Sequence, residues 1–441
     1  MRSPVNLRLG LVGYYGSEED SVETVDTSLG VTVKKDEDFG QWCGEMMAYY
    51  DISGCYILRP NAMKIWNIMR TYFDAVLEKA EVDENYFPLF VSASVLEKEK
   101  DHVQGFAPEV AWVTKAGKSD LNVPIAIRPT SETVIYPYFS KWIKSHRDLP
   151  LKLNQWNNVV RWESREFLWQ EGHTAHATEE EADKEVLEVL DHYRHLYEEY
   201  LAVPVVKGMK SENEKFAGAR YTTSVEKAFV LAHEIMTHGD DKGLMNPPKV
   251  APIQVIVIPV PFKDADTKEI SKAFSAVKDA LREAGIRAKE DLSDNYSPKW
   301  KYSHWEMKGV PLRIEIGPRD LAKDQVRTVR RDNGVKADVP RGGLVEHVKE
   351  LLEKIQQNMF DVAKQKRDDA CVVVKTWDEF VEALGQKKLI LAPWCDEEEV
   401  EMDVKRRTKD EVGAAKSLCS PFDQPEIPEG RDSMFCFRKA C

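Results

Sequence analysis

The sequence predicts an α+β protein of about three domains. Its 441 residues correspond to about three domains of ordinary size. Segments with strand periodicity alternate with amphipathic helical segments along most of the chain. Two prolines in NPPKVAP (246–252) interrupt any regular element, and the pattern changes again near residue 361. We therefore expect an N-terminal extension over 1–50 and domains over 51–250, 251–360 and 361–441.

The composition is that of a charged globular protein. The chain has 62 Lys+Arg and 75 Asp+Glu, a formal net charge of −13, and 42% apolar residues. No stretch approaches 18 apolar residues and the N-terminus lacks a long apolar run, so we expect neither a membrane span nor a secretory signal. The seven cysteines are odd in number and scattered, which predicts reduced thiols in the cytosol. The acidic balance argues against a nucleic-acid coat protein but leaves room for a local basic face.

In the first domain the elements follow from hydrophobic spacing. Residues 1–50 are polar and turn-rich. Apolar residues at 65, 69, 72, 73 and 76 predict a helix over 60–80. YFPLFV (86–91) predicts a strand, and its Pro88 favours an edge or interface position. PIAIRPTSETVIYPYF (124–139) predicts a strand, a turn and a helix, and two strands follow over 151–163 and 165–177. Thr178 then caps a predicted helix with one apolar face at 186, 190, 193, 197 and 201.

In the second domain strands again alternate with helices. VIVIPV (255–260) is typical of a fully buried strand, and a helix over 270–285 ends at Gly285. Two more strands are predicted over 311–317 and 326–334, followed by an amphipathic helix over 344–360. This order indicates a small α/β domain. The third domain is mixed in pattern.

Arg161 and Glu163 lie two positions apart on a predicted strand and therefore share a sheet face. An arginine on a rigid strand suits bidentate binding of a phosphate. A cross-strand salt bridge is the alternative interpretation.

Trp169, Glu171 and His173 also share a face at period two. An indole, a carboxylate and an imidazole are a poor choice for a core, but they suit a pocket for a small cation such as an α-amino group. A chance half-exposed face is the alternative. Thr130 and Glu132 add a hydroxyl and a carboxylate that could accept from an ammonium group.

Other motifs carry less information. Phe216 in KFAGARYTT (215–223) could wall a pocket, although an ordinary turn explains it as well. THGDDKGL (237–244) is typical of a turn entering a helix, with simple capping as the alternative. The two histidines of GHTAHA point to opposite faces of a strand, which disfavours a metal site. Cys395, Cys419, Cys436 and Cys441 lack the paired spacing of a zinc knuckle, so we predict no metal.

Five of these motifs occur together and in order: RPTSET (128–133), NVVRWE (158–163), REFLWQEGH (165–173), KFAGARYTT (215–223) and HGDDKGL (238–244). In this combination the chain resembles the prolyl-tRNA synthetases of the eukaryotic and archaeal kind, which are class II aminoacyl-tRNA synthetases. The resemblance implies an antiparallel sheet flanked by helices, then an α/β anticodon-binding domain and a C-terminal zinc-binding-like domain. It also implies ATP-dependent ligation of L-proline to proline tRNA through prolyl-adenylate.

The resemblance also assigns roles to residues of this sequence. Arg161 would bind and polarise the α-phosphate of ATP, Glu163 would orient the adenine amino group, and Phe167 would stack on the adenine ring. The remaining ATP contacts would be Trp162 and Ser164. Mg²⁺ would accompany ATP, held mainly by phosphates and waters.

The proline side of the implied site contains hydroxyl, carboxylate and ring-bearing residues. Thr130 and Glu132 would receive the proline imino group. The pocket around the ring would be lined by Trp169, Glu171, His173 and Phe216.

The sequence departs from the family pattern in three internal places. Only Ser164 separates RWE from REF, where the family has a flexible loop and a second ATP-binding arginine. Both halves read as strand, so we expect that the chain as written is too short to form this hairpin. Between Glu226 and Thr237 the third class II motif and its essential arginine are missing. A further short omission is expected near Glu45.

Two interpretations of these departures remain open. The chain is a degenerate paralogue without ATP chemistry, or mobile loops of the natural polypeptide are missing from the sequence. We favour the second, because loss of the third motif would remove a central strand while the residues that depend on it persist as a set. The first makes the chain a tRNA-binding or regulatory protein, and an adenylating enzyme that does not load tRNA is a further alternative.

The C-terminal part departs as well. Where the family's zinc form has a second cysteine five residues after Cys395, this chain has Val400, so zinc is not predicted. For tRNA, RIEIGPRD (313–320) matches the element that reads anticodon bases. Glu315 and Arg319 are the candidates, with a fold-determining salt bridge as the alternative. The resemblance further implies a cytoplasmic homodimer that pairs through the region of Pro88.

Overall fold

The computed structural model describes residues 8–14, 42, 44–98, 110–161, 165–216, 218–226, 237–260, 267–293, 295–394, 397–411 and 413–424. Within them the helices are α1 (Pro60–Lys79), α2 (Ala93–Lys98), α3 (Glu132–Trp142), α4 (Glu179–His195), α5 (Thr267–Glu283), α6 (Pro298–Met307), α7 (Pro318–Ala322), α8 (Leu344–Ala370), α9 (Trp377–Gly385) and α10 (Glu398–Glu411).

The strands complete a mixed α+β architecture, as the sequence predicts. They are β1 (Arg8–Tyr14), β2 (Met47–Tyr49), β3 (Tyr56–Leu58), β4 (Asp83–Glu84), β5 (Phe90–Ser92), β6 (Trp112–Ala116), β7 (Ser119–Ile127), β8 (Leu151–Arg161), β9 (Arg165–Ala175), β10 (Val206–Met209), β11 (Thr223–Glu226), β12 (Leu244–Met245), β13 (Val255–Pro259), β14 (Ala288–Glu290), β15 (Lys308–Gly309), β16 (Leu312–Ile316), β17 (Gln325–Arg330), β18 (Lys336–Pro340), β19 (Cys371–Val373), β20 (Leu389–Trp394) and β21 (Ala415–Pro421).

The long antiparallel hairpin β8–β9 is the centre of the first domain. It pairs residue by residue from Leu151↔Ala175 to Arg161↔Arg165, and β4 joins it in parallel along β8. The expectation that the chain is too short for this hairpin is wrong. The strand ends at Arg161, so three residues and not one connect the two strands, and three suffice for a hairpin turn.

Helices α1 and α4 cover one face of the hairpin. Trp156 meets Phe73 of α1 edge-on, with ring centroids 6.3 Å apart, and its indole N–H donates to Asp74 at 2.6 Å. Tyr193 of α4 stacks on the same Phe73 and donates to Gln170 of β9. On the opposite face α3 covers one end, where Leu153 packs with Ile135 and Phe139. The other alternate positions of that face carry mainly polar and aromatic side chains, and these are available for binding.

Several predictions for the first domain differ from the structure. The strand expected over 86–91 is only β5, because Pro88 has no N–H and its carbonyl, like that of Phe87, accepts from Arg128. Val186, expected on the apolar face of α4, is exposed. The expected helix after HGDDKGL is instead the short strand β12, which pairs with β15.

The second domain is a five-stranded sheet of order β14-β13-β16-β17-β18. Its core is formed by α5 and α8 against β13 and β16, where Phe274, Leu281, Ile314 and Ile355 are almost fully buried. The expected α/β pattern is therefore present. Helix α8, however, runs ten residues beyond 360, to Ala370, because nothing in that stretch breaks it.

The third sheet has the order β11-β10-β21-β1-β20-β19 and combines distant parts of the chain. Strand β1 comes from the segment interpreted as a polar extension, yet it pairs antiparallel with both β20 and β21. The alternation of apolar and other residues in RLGLVGY is too short to predict a strand by itself. The segment becomes a strand because it pairs with strands from the C-terminal region. No helix among the described residues is long and apolar enough to span a membrane.

Candidate active site

The face of the β8–β9 hairpin that points away from α1 and α4 brings together most of the predicted site. In the pairing register Glu171 lies opposite Gln155, and Trp169 lies opposite Asn157. Because side chains alternate along a strand, these four residues share one face with the other members of the set. On this face the structure places Arg161, Phe167, Trp169, Glu171 and His173 in line along the hairpin.

Glu171 is the best-connected residue of this face. Its side chain is buried, at 8% exposure, and its Oε1 accepts from Gln155 Nε2 at 2.9 Å and from Asn157 Nδ2 at 2.7 Å. Ser131 Oγ donates to the same oxygen, and His173 Nε2 lies 3.1 Å from Oε2. The carboxylate is thus fixed in position before any ligand binds.

These donors also keep Glu171 ionised. Burial alone would raise the pKa of this carboxyl, but the bonds from His173, Ser131 and Asn157 outweigh it and hold the pKa below the ordinary value of 4.5. A buried, ionised and oriented carboxylate is suited to a small organic cation.

Arg161 supplies the opposite charge a short way along the same face. Its guanidinium lies 5.5 Å from the Phe167 ring centroid and 5.3 Å from that of Trp169. Its Nε donates to Pro129 O at 3.2 Å. Burial lowers the pKa of Arg161, and the charges of Glu132 and Glu171 oppose that shift. The two rings meet edge-on at 89°, so an aromatic wall stands beside the cation.

The RPTSET turn is held against the hairpin by Arg128. This arginine is only 1% exposed and donates to Phe87 O at 2.7 Å and to Asn158 O at 3.2 Å. The turn then enters α3, whose first residue is Glu132. Thr130 is buried and its hydroxyl donates to the Glu132 carboxylate. These two predicted residues therefore lie next to each other.

For four predicted residues the place relative to this group stays a prediction. Trp162, Glu163 and Ser164 lie outside the described residues, and with them the predicted pairing of Arg161 and Glu163 on one face. Phe216 is 40% exposed, and its N–H donates to Thr222 Oγ1 at 3.0 Å. The turn that carries it is tied to α4 through Tyr221 and Arg220, and the place of Phe216 at the pocket stays a prediction.

Ser131, Gln155 and Asn157 were missed by sequence reasoning. All three bind Glu171, and Ser131 and Gln155 are almost fully buried. Gln155 and Asn157 could have been found, because they share a strand face with Arg161 at period two. Nothing in the sequence singled out Ser131, which stands between the predicted residues Thr130 and Glu132.

The candidate tRNA residues have different surroundings. Glu315 on β16 accepts from Arg313 Nε at 2.9 Å, and Arg313 also donates to Glu306 at 2.7 Å and lies 4.1 Å from the Tyr302 ring centroid. The alternative interpretation of Glu315, a structural ion pair, is therefore present. Arg319 in α7 is exposed and forms none of the ion pairs seen among the described residues.

Comparison with known proteins supplies the family. A cytoplasmic proline–tRNA ligase of Arabidopsis thaliana is 66% identical over 466 aligned positions, which cover 92% of this chain and 88% of the relative. The chain belongs to the prolyl-tRNA synthetase family. The family profile described as "Anticodon binding domain" matches residues 254–351, and "Prolyl-tRNA synthetase, C-terminal" matches 377–441.

Other members of the family are also similar to this chain over most of its length. The proline–tRNA ligase of Encephalitozoon cuniculi is 41% identical over 89% of this chain and 94% of its own length. The crystal structure of the prolyl-tRNA synthetase of Cryptosporidium parvum, complexed with halofuginone and AMPPNP, superposes with a TM-score of 0.87. It is 46% identical and covers 92% of this chain and 96% of its own.

The Arabidopsis alignment also measures the internal shortening of this chain. Ninety-two per cent of 441 residues is about 406, so about 60 of the 466 aligned positions hold a residue in that family member and none here. This agrees with the segments of the family pattern that are missing from this chain.

Proposed function

We propose that the chain ligates L-proline to proline tRNA in an ATP-dependent reaction through prolyl-adenylate, with release of AMP and pyrophosphate. The observation that carries this proposal is the hairpin face, on which an ionised, buried Glu171 and a partly buried Arg161 stand beside an aromatic wall. Proline carries both a cationic imino group and a carboxylate, so it matches a site with both charges.

The first step is a displacement at phosphorus. A carboxylate oxygen of proline bonds to the α-phosphorus, the bond from that phosphorus to the bridging oxygen breaks, and pyrophosphate leaves with the electron pair. Arg161 would neutralise charge on the α-phosphate as this happens. Catalysis then depends on charge stabilisation and positioning, and no covalent nucleophile of the protein is needed.

Proline would be held by the opposite end of the face. Its imino cation would donate to Glu171 and to the adjoining Thr130 and Glu132, while Trp169, His173 and Phe216 would enclose the ring. Fixing Glu171 through several donors before binding reduces the ordering cost of substrate capture. In the second step a ribose hydroxyl oxygen of the tRNA terminus would bond to the proline carbonyl carbon. The bond from that carbon to the phosphate oxygen breaks, and AMP leaves with the electron pair while the hydroxyl proton passes to the AMP phosphate or to solvent.

ATP would lie toward the Arg161 end. Phe167 would stack on the adenine ring, and Trp162, Glu163 and Ser164 complete the proposed nucleotide contacts. Mg²⁺ would enter with ATP and neutralise phosphate charge, held mainly by phosphate oxygens and waters. The described residues contain no cluster of three or more His, Cys, Asp or Glu side chains that could hold a metal ion.

The residues present do not fit a zinc site of the family type, because position 400 lacks the cysteine ligand. Val400 packs against the apolar cluster that contains Phe380, Ile390 and Trp394. A valine offers no ligand, and it contributes to the core there instead. Cys395, Cys436 and Cys441 lie outside the described residues.

Proline tRNA would bind through the 254–351 region, with Arg319 as an exposed cation for a base edge or phosphate and Glu315 as a second candidate. A homodimer is supported by the exposed apolar side chains of the β2–β3 hairpin and of Phe90, near Pro88. We also propose a cytoplasmic location, in keeping with the name of the Arabidopsis family member.

Proline-dependent exchange of pyrophosphate into ATP tests the first step, and charging of proline tRNA tests the second. We expect Arg161→Ala to abolish exchange while tRNA binding is retained. Arg194→Ala, which removes a partly buried arginine of α4 that pairs with Glu198 just beyond the helix, is the matched control. Near-normal exchange by Arg161→Ala would show that the α-phosphate is placed wrongly.

A catalytically degenerate paralogue that binds tRNA or has a regulatory role is the second candidate. The specific observation in its favour is the absence of about 60 internal positions that the Arabidopsis relative has. Tight tRNA binding without any proline-dependent exchange would establish it. Exchange without charging would instead indicate an adenylating enzyme that does not load tRNA.

A further inference from the structure

The loop 237–245, which we call the junction loop, lies where the catalytic domain meets the anticodon-binding domain. Trp42 Nε1 donates to Asp240 O at 3.0 Å, and His238 Nε2 lies 2.9 Å from Leu201 O. Strand β12 at its end pairs with β15 of the second domain. The approach is close: a Cβ added to Gly239 would lie 2.4 Å from the Trp42 ring. The loop is therefore fixed from both domains.

Arg331, just after β17 of the anticodon-binding domain, reaches across this junction. Its side chain is 4% exposed, and Nη1 donates to Asp240 Oδ2 at 2.9 Å while Nη2 donates to Oδ1 at 2.5 Å. Nη2 also donates to Gly243 O at 3.3 Å. Such a fork-to-fork geometry fixes both distance and angle between the two groups.

Asp240 is held in its charged form for this contact. Burial alone would raise its pKa, but the bonds from Arg331 and from the N–H of Lys242 keep the pKa below the ordinary value of 3.8. Breaking the pair would leave a nearly buried guanidinium without its counter-charge, which the local structure would have to move to relieve.

The pair is also linked to the candidate tRNA residues. Arg331 Nε donates to Glu306 O at 3.2 Å, and the Glu306 side chain accepts from Arg313, which in turn bonds Glu315. A continuous series of polar contacts thus joins β16 to the junction loop.

The covalent connection is likewise rigid. Arg287 donates to Pro248 O at 2.8 Å and to Ala251 O at 2.8 Å, and the Gln356 amide donates to Glu199 O at 2.8 Å. The linker after the junction loop is therefore fastened to the second domain and does not act as a free tether.

We infer that Arg331 is a positioning residue for tRNA charging, which sets the angle between the two domains by its ion pair with Asp240. This inference rests on the proposed function. Adenylate formation uses groups of the first domain alone, whereas transfer needs a tRNA held by one domain to present its terminus to the other. Loss of the pair should therefore impair the second step and spare the first.

The test compares two rates in the full chain. For Arg331→Gln we expect kcat/KM for tRNA charging to fall about 10- to 100-fold and proline-dependent pyrophosphate exchange to stay within about twofold, since small misplacements cost this much in rate. Asp240→Asn should change the same ratio in the same direction. The double variant should be no worse than the worse single variant, because both remove one pair.

Arg330→Gln is the matched control. Arg330 is the preceding residue and forms a bidentate pair with Asp332, whose side chain is 1% exposed, inside the anticodon-binding domain. It should lower the melting temperature and leave the ratio of charging to exchange unchanged.

Equal losses of charging and exchange in Arg331→Gln, or no change in either, would overturn the inference. If Arg331→Gln fails to fold, Asp240→Asn decides in the same way. Absence of exchange in the unmodified chain would be a failure of the proposed function, recognised before any variant is made.

Discussion

The network around Glu171 makes a quantitative prediction for Glu171→Gln. The amide oxygen can take the place of Oε1 and accept from Gln155 and Asn157, while the amide nitrogen faces His173 Nε2, 3.1 Å away in the unmodified chain. The substitution keeps the volume and most of the bonds, so the fold should survive. What it removes is the negative charge that meets the proline imino cation.

The expected loss follows from the value of that charge. A hydrogen bond to an ionised partner contributes about 1.5–3 kcal/mol, which corresponds to about a 10- to 150-fold rise in the KM for proline. The KM for ATP should be unchanged, since the nucleotide is placed at the Arg161 end. Pyrophosphate exchange measured against each substrate in turn gives both constants.

Glu185→Gln is the matched control for this prediction. Glu185 is a carboxylate of similar burial on the other face of the hairpin, where it meets His176 Nε2 at 2.7 Å and Lys152 Nζ at 3.2 Å. It should reduce stability and leave the KM for proline unchanged. A folded Glu171→Gln protein with the KM of the unmodified chain would refute the assignment of the imino site.

Three further results are expected. Gly239→Ala should destabilise the chain by about 1–3 kcal/mol in urea unfolding, because the new Cβ would lie 2.4 Å from the buried Trp42 ring. Gly342→Ala, with no atom within 4 Å of the new Cβ, is its control. Phe274→Ala should cost about 3–5 kcal/mol, since the ring is 1% exposed in the core of the second domain. The pKa of Asp240 is lowered on folding, so its contribution is complete above the unfolded value of 3.8 and is lost as pH falls through the folded value. Asp240→Asn should therefore destabilise the chain at about pH 6, and its effect should shrink as pH falls below 3.8.

Each has a clear contrary outcome. Equal unfolding free energies for the two glycine variants would show that Trp42 yields easily. A cost below about 1 kcal/mol for Phe274→Ala would mean that the core collapses around the cavity. An Asp240→Asn effect that is independent of pH would show that its charge is not what stabilises the junction.

Much of the site could be predicted because strand periodicity is a local property. Trp169, Glu171 and His173 had to share a face once 165–177 was taken as a strand, and the pairing register places them so. The partners of Glu171 could not be predicted in the same way. Ser131 and Gln155 meet it only through the turn before α3 and through the register of β8, which no single segment encodes.

Two predictions were wrong because tertiary contacts changed the local structure. The strand expected at 86–91 gives way because Arg128 takes the carbonyls of Phe87 and Pro88. The hairpin turn was judged too short because strand pattern continues past the point where pairing stops, at Arg161. Where a neighbour offers a better hydrogen bond, local propensity is overridden.

The α+β class and the set of charged and aromatic residues on one strand face could be inferred from the sequence alone. These follow from periodicity, backbone chemistry and motifs, all of which are local in the chain. The folded chain was needed to show that Glu171 is buried and ionised, that β1 belongs to the C-terminal sheet, and that Arg331 pairs with Asp240. Burial, ionisation and pairing depend on which distant groups come together, and that is a property of the folded chain.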